Sequence, residues 1–570
     1  MDRNPDLRNH REMTESAPPT PKRRPAVYLA LALLAALGCW PFLGTLDFPP
    51  MGLDSVLWMT RGAPDREGWT DWVFWTQHFN VGYRPVAGLS FTITHALAGL
   101  DPFPYRVTDL AIHAVNGGLV FAVARRLAPQ LSAWAACLAA GVFFLHPGGE
   151  EVVAWIERRS YSIATCLCLV GLWAALGAAR HTGARSARVA ALAGVAFGLA
   201  LISNEMAVLS IAALPALVFV VAPASPGRLR SSLRVVLPIL AVVAAFFCFR
   251  LYVVGEVGGY SPKDAGEGRG FSVFGAYWSY LLTFCIEYPI RSCELHPGKL
   301  ALLVASLCYI VWRALQPLSR RPLEPGRLLP AVLLAWLVGA SLVLAAQRVW
   351  FPREVYPLLP PLGFLVGIVA GETFSARHRP LALHLLPQLL LLVVLLADAP
   401  ALHGQDAVRT RDWSEMRAMF EDIEAQGGEI SEPALVLLAI PYNADATRVN
   451  LLRARPFRAG PPRSTRLTTN WLEQRFAGRR VEFLHALSFP EGFDWSSEVR
   501  FEEISKRPAL VFPDGNAFSI RQEWRQTTDL AGEKTAVWLD GFPRPPKRAR
   551  YVYLRGAGKG ELIQIDEGEG

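Results

Sequence analysis

The sequence is short of charge, and its last third has no cysteine at all. Charged residues make up 19% of the 570 positions, against about a quarter in an average soluble domain. The shortfall lies before about residue 400, and beyond it the chain has the charge density of a soluble protein. All eight cysteines precede Trp312, most of them inside apolar blocks, as Cys166 and Cys168 are. That excludes a disulfide framework in the tail, and no Cys/His pattern has metal-ligand spacing. No period of about 34 residues is present, which excludes tetratricopeptide repeats. A cleavable signal is missing too. Lys22, Arg23 and Arg24 precede an apolar run that is long for a signal peptide and lacks a small-x-small cleavage site, so it reads as a signal anchor.

Long apolar blocks are what the chain has instead. Hydrophobic residues reach 52% and the mean hydropathy is +0.25. Blocks such as 26–46 and 381–398 approach the roughly 20 residues that span a bilayer core. Only helices suit such runs, because lipid offers backbone N–H and C=O groups no partners. The net charge of +8 does not point to nucleic acid, because much of the excess lies in short loops between blocks, where it orients helices.

Those loops set a topology. The basic cluster at 22–24 puts the N-terminus in the cytoplasm. Spans near 26–46, 107–127 and 132–145, a fourth through Trp173, a fifth that reaches Ile202 and a sixth from Glu205 to Pro223 then leave Arg125, Arg126, Arg180, Arg185, Arg188, Arg228, Arg230 and Arg234 inside. A seventh follows at 235–254. If 273–290 also crossed, Arg313, Arg320, Arg321 and Arg327 would fall outside, so that stretch is expected to be interfacial or re-entrant. Spans near 300–312, 328–346, 355–371 and 381–398 make about eleven in all. The expected architecture is an all-α polytopic membrane protein. It has a disordered cytoplasmic stretch at 1–25, a transmembrane domain at 26–400 with an outer loop at 47–106, and a small soluble α+β domain at 404–570 outside the membrane.

Ionisable groups at span ends are expensive, and they mark function or pair with one another. On the outer side stand Asp54, Arg84, Glu150, Glu151, Arg158, Arg159, Glu205, Arg348 and Arg353. Singly, each has an ordinary explanation. Asp54 is a solvated acid, Glu151 and Arg158 are partners on one helical face, Glu205 is a charge on a helix dipole, and His113 is a helix-packing hydrogen bonder. Together they fit sugar transfer from a lipid phosphate. That reaction needs a carboxylate to take a proton and cations to hold the phosphate, a task for which the planar arginine fork is suited.

The segments Tyr83-Arg84-Pro85-Val86-x-x-Leu89-Ser90-Phe91, Gly99-Leu100-Asp101-Pro102 and Tyr105-Arg106-Val107-Thr108-Asp109-Leu110-x-x-His113-Ala114-Val115-Asn116 occur in that order. His146-Pro147-x-x-x-Glu151-x-Val153-Ala154-Trp155-Ile156-x-x-Arg159 and Ser203-Asn204-Glu205-Met206 follow. This set resembles the TMTC-type protein O-mannosyltransferases and their bacterial relatives, over residues 47–215, with a weaker echo at 348–364. The resemblance implies a GT-C glycosyltransferase that uses a polyprenyl-phosphate-linked sugar on the outer face of a bacterial inner or plasma membrane. The acceptor would be a protein Ser/Thr or a lipid-linked glycan. It implies Asp54 as catalytic base, Glu151 beside it, and Arg84, Arg159, Glu205, Arg348 and Arg353 as substrate or donor-phosphate residues. No cofactor is called for, and a divalent metal stays open. Three departures stand out: Ser55 follows Asp54 where a second Asp is common, Tyr161 stands where an Arg-x-Asp element would end, and Asn204 replaces a Lys. The other readings are a lipid or solute transporter or flippase, and a non-catalytic membrane scaffold. A transporter would favour midplane charges and a repeated half.

Overall fold

The computed structural model describes residues 25–46, 58–59, 84–99, 101–254, 273–275, 277, 297–319, 324–346, 352–375 and 421–430, and eight strands between 434 and 565. The helices are α1 (Pro25–Cys39, prolonged by the 3-10 turn Trp40–Thr45), α2 (Pro85–Ala98), α3 (Pro102–Leu127), α4 (Ala133–Leu145), α5 (Glu150–Val153) and α6 (Arg159–Ala178). There follow α7 (Gly183–Leu201), α8 (Ala207–Ala212), α9 (Leu214–Val221), α10 (Arg228–Val254), α11 (Pro297–Leu315), α12 (Leu329–Ala345) and α13 (Leu359–Ser375).

Among the described residues, seven helical stretches are long and apolar enough to cross a membrane: Pro25–Thr45, Pro102–Leu127, Ile156–Ala178, Gly183–Leu201, Arg228–Tyr252, Pro325–Ala345 and Arg353–Gly371. The chain is a multi-pass membrane protein. Shorter apolar helices lie at Pro85–Ala98, Ala133–Leu145 and Ala207–Val221. Of the expected spans, 381–398 lies outside the described residues, as does most of 273–290.

Local chemistry explains the helix ends. Asp101 caps α3 by accepting from Phe103 N at 3.0 Å, Pro102 takes the first helical position, and Arg125 and Arg126 occupy the last turn. Ser132 caps α4 by accepting from Ala135 N at 3.1 Å. Gly99, at φ +58°, makes the turn between α2 and α3. Hydroxyls inside the bundle bond back to their own helix, as Thr94 does to Ser90 O at 2.8 Å and Ser341 to Leu337 O at 2.8 Å.

Three expectations need correcting. The outer loop 47–106 contains α2, whose Ala87 and Phe91 are buried, so part of that loop is packed helix. Glu151 and Arg158 do not share a helical face, because α5 ends at Val153 and Trp155 is extended (φ −111°, ψ 111°). Arg185 and Arg188 ride on the first turns of α7 rather than in a loop.

The centre of the bundle is α13, and its 353–371 span is wholly buried. Its Gly363, Gly367 and Gly371 face α4. A Cβ at Gly363 would stand 2.5 Å from Ala139 O, and one at Gly367 2.7 Å from Ala135 O. Small residues thus let two backbones approach closely, the usual solution where lipid supplies no hydrophobic drive. The segment 146–160, the turn before α8 and the 3-10 turn Pro352–Leu358 gather at one end. Arg125, Arg126, Arg180 and Arg228 lie at the other, where the 3-10 turn Pro325–Leu328 packs against α9.

The C-terminal strands form two four-stranded sheets, ordered β2-β1-β7-β8 and β3-β4-β6-β5. In the first, β1 (Ala434–Tyr442) pairs parallel with both β2 (Val481–Pro490) and β7 (Ala549–Arg555), and β8 (Gly560–Ile565) closes it antiparallel. The near-continuous apolar run of β1 is what a strand flanked on both sides in parallel requires. In the second, β4 (Arg507–Phe512) pairs antiparallel with β3 (Arg500–Ile504) and β6 (Thr535–Leu539), and β5 (Ser519–Ile520) runs parallel to β6.

Candidate active site

Arg84 sits just before α2, and Pro85 starts the helix after it. Val86 N donates to Ile202 O at 3.4 Å, so the start of α2 lies against the end of α7. The turn after α7 is built by Ser203 N and Asn204 N, both donating to Ala200 O, at 3.1 and 2.9 Å. Asn204 Oδ1 then accepts from Met206 N at 3.0 Å. This turn aims Glu205 at Arg84. Arg84 Nη2 donates to Glu205 Oε1 at 2.8 Å and Nε to Oε2 at 3.3 Å, a two-pronged pair. Arg250 of α10 brings Nη1 to 3.8 Å from Glu205 Oε2.

A second set of contacts extends the cluster. Ser160 Oγ accepts from Arg84 Nη1 at 3.4 Å and from Asn204 Nδ2 at 3.1 Å. The Arg84 guanidinium lies 5.8 Å from the centre of the Tyr161 ring, and the Tyr161 hydroxyl accepts from Arg353 Nε at 3.3 Å. Arg84, Arg250 and Arg353, from three separate parts of the chain, thus converge on Glu205, Ser160 and Tyr161. Burial favours the neutral form of Glu205, but the charge and hydrogen bonds of Arg84, with Arg250 behind, outweigh it and hold the carboxyl below its ordinary range. Two guanidinium groups, Arg84 and Arg250, thus stand within 4 Å of the one Glu205 carboxylate.

Arg159 is placed differently. It is fully buried with Asp109, Nε to Oδ1 at 2.5 Å, and Nη2 donates to Tyr105 O at 2.8 Å. Nη1 donates to Thr94 Oγ1 at 3.2 Å, and the guanidinium lies 4.5 Å from the Phe91 ring centre. These bonds tie α2, α3 and α6 together, so Arg159 serves the scaffold rather than a phosphate. Arg106 adds a bond from Nη1 to Ala154 O at 2.6 Å. Trp58 stacks on the same Phe91 ring, centres 5.1 Å apart.

Asp54 and Arg348 lie outside the described residues. Glu151 belongs to the short helix α5, in the segment 146–160 at the same end as the cluster. That segment dips inward. A Cβ at Gly149 would meet the His113 ring at 3.8 Å, and His113 Nδ1 lies 3.0 Å from the Tyr356 hydroxyl, to which Asn116 also donates at 3.2 Å. His113 therefore does pack helices by hydrogen bonding. Beside it is a cavity of about 10 Å³, lined in part by Phe42, His113, His146 and Gly149. Among the described residues no group of three or more His, Cys, Asp or Glu side chains could hold a metal.

Sequence reasoning passed over Arg250 and gave Asp109 and Tyr161 no role in the site. Arg250 and Asp109 carried a usable signal, since an ionisable residue inside an apolar run marks a site or a partner. Tyr161 stood out only as a departure from the family pattern.

No family model matches the chain. A stretch of 100 residues is 37% identical to protein O-mannosyl-transferase Tmtc1 of Drosophila melanogaster, covering 17% of this chain and 11% of the fly protein. A stretch of 90 residues is 33% identical to protein O-mannosyl-transferase TMTC2 of Mus musculus, covering 16% of this chain and 10% of the mouse protein. The chain thus matches about a tenth of the length of these curated relatives. Over that part it is similar to the TMTC-type protein O-mannosyl-transferases. Among solved structures, ArnT from Cupriavidus metallidurans in the apo state has a TM-score of 0.44 at 16% identity, covering 72% of this chain and 82% of that one.

Proposed function

We propose that this chain is a membrane glycosyltransferase of the GT-C type. It moves a monosaccharide, mannose in the first instance, from a polyprenyl-phosphate donor to a hydroxyl of a protein Ser/Thr or a lipid-linked glycan. One observation carries this reading: Arg84 and Arg250 flank Glu205 at one end of the bundle, with Arg353 reached through Tyr161. The segmental likeness to O-mannosyl-transferases supports the sugar and the reaction type.

The chemistry follows from charge. A lipid-phosphosugar is a diester with one negative charge, which converging guanidinium groups are suited to hold. Asp54 takes the acceptor's proton, the acceptor oxygen bonds to the anomeric carbon from the far side, and the carbon–oxygen bond to phosphate breaks. The configuration at that carbon inverts. The departing phosphate gains a second negative charge, which arginines already in place stabilise more than they stabilise the donor. Arg348 joins Arg84, Arg250 and Arg353 in this role, Glu205 orders two of them, and Glu151 supports the bound substrates. The reaction needs no cofactor, a point that turnover in a chelator tests. The N-terminus is cytoplasmic and the 404–570 region is a small extracytoplasmic α+β domain, in a bacterial inner or plasma membrane.

The test supplies polyprenyl-phosphate mannose and a Ser/Thr-containing peptide to the purified full chain and follows release of lipid phosphate. Asp54→Asn should lower turnover by roughly 10²–10⁴-fold, and Arg250→Gln should weaken donor binding. Unchanged turnover in Asp54→Asn removes that residue as base. Failure to bind or turn over any lipid-phosphate sugar removes the reading and leaves a transporter or a scaffold.

A further inference from the structure

Two guanidinium groups at the opposite end of the bundle have no part in this reaction. Arg126 closes α3, and its guanidinium lies 3.8 Å from the centre of the Trp173 ring. Its Nη1 donates to Trp173 O at 2.6 Å. Gly177 leaves room for this, since a Cβ there would stand 2.7 Å from Arg126 Nη1. Arg180 follows in a tight turn fixed by Arg180 N to Gly177 O and His181 N to Ala178 O, both 3.1 Å. Ser186 Oγ adds a bond to Ala178 O at 2.8 Å, and Gly183 takes φ +64°.

The turn brings Arg180 within electrostatic reach of Arg126. Burial, and then the Arg126 charge, push its guanidinium below the ordinary arginine value. Two cations held this way repel unless an anion lies between them. Within the stretches that build α3, α6 and α7 no anion is at hand, for no Asp or Glu occurs at 110–149 or 158–204. Arg125, Arg185 and Arg188, all exposed, add only positive charge to this end of α3, α6 and α7. Trp173, 38% exposed, gives the site an apolar wall of the kind that lies at headgroup level in a bilayer.

We infer that Arg126 and Arg180, walled by Trp173, clamp the phosphate of one anionic phospholipid at the arginine-rich end of the bundle. A net-negative headgroup suits a cluster of arginines better than a zwitterionic one does. The tryptophan face and the adjoining apolar helix surface suit acyl chains, which a free phosphate lacks. The site is separate from the donor-phosphate cluster, so it stands or falls independently of the proposed reaction.

Native mass spectrometry of the purified full chain tests this, with phosphatidylglycerol, phosphatidylcholine or inorganic phosphate added. Phosphatidylglycerol should be retained in preference to phosphatidylcholine, and retention should fall roughly fivefold for each cation removed, in Arg180→Gln and in Arg126→Gln/Arg180→Gln. Arg180→Lys should keep most of it. Circular dichroism checks the fold, and if the double variant does not fold, Arg180→Gln alone decides. Equal retention of phosphatidylglycerol in Arg180→Gln overturns the proposal. So does full displacement of the lipid by millimolar inorganic phosphate, which would mark a site for a soluble anion.

Discussion

Glu205 neutralises Arg84 and approaches Arg250, whose side chain is fully buried. Because its folded pKa is depressed, the pair stabilises the protein above the ordinary carboxylate value of 4.5, and that stabilisation is lost as pH falls through the lower folded value. Thermal melts of the purified protein should show a fall in midpoint at acid pH that is absent from Glu205→Gln, whose midpoint is already low. Asp109→Asn tests a different role. It strands the buried Arg159 guanidinium and should cost about 3–5 kcal/mol, read as a loss of folded, monodisperse protein, whereas Ser160→Ala should leave the fold intact. The residue scale is also where the sequence was half legible. Polar residues at span ends pointed to Arg84, Glu205 and Arg353, but a sequence shows a charge and not its partner. Arg159 therefore looked free to hold a phosphate until Asp109, fifty positions away, was seen to hold it. The departures at Tyr161 and Asn204 turn out to be neighbours, since both border Ser160.

Helices differ sharply in what they tolerate. Gly367 of α13 has Ala135 O where a Cβ would go, whereas Gly339 of α12 has nothing within 4 Å. Gly367→Val should lower the melting temperature strongly, because overpacking costs about 1–3 kcal/mol even where neighbours can shift, and here the obstacle is backbone. Gly339→Ala should be neutral or stabilising by up to about 1 kcal/mol. Equal melting temperatures for the two variants would sink this account of α4–α13 packing. The same logic applies where Phe144 fills the space beside Gly38 and Gly117. Hydropathy made most of these helices legible, because a span announces itself by length. The break at 154–155 and the helix at 85–98 were not legible: a few polar contacts decide each, and neither changes the apolar count enough to register.

At the scale of the whole molecule, the arginine-rich end and the Glu205 end are separated by the length of the bundle. The turn Pro325–Leu328 packs against α9 and so belongs to the former. Cysteines placed at Ser225 and Ser319, in a chain stripped of exposed thiols, should therefore be labelled by an impermeant reagent from the same side of the membrane. Labelling from opposite sides would mean that 273–290 crosses the bilayer. That stretch was the least legible part of the sequence, since aromatic anchors and a modest apolar run serve an interfacial helix and a short span alike.

The burial of α13 bears on how the protein is made. The most enclosed helix of the bundle, packed on α4 through Gly363 and Gly367, is synthesised after the six other described stretches long and apolar enough to span. While the ribosome works through more than two hundred intervening residues, the alanine face of α4 must wait in lipid for a partner that does not yet exist. A chain stalled or cut before residue 352 is therefore not a smaller version of the bundle but one with an open slot at its centre. Such a product would be expected to go to membrane quality control.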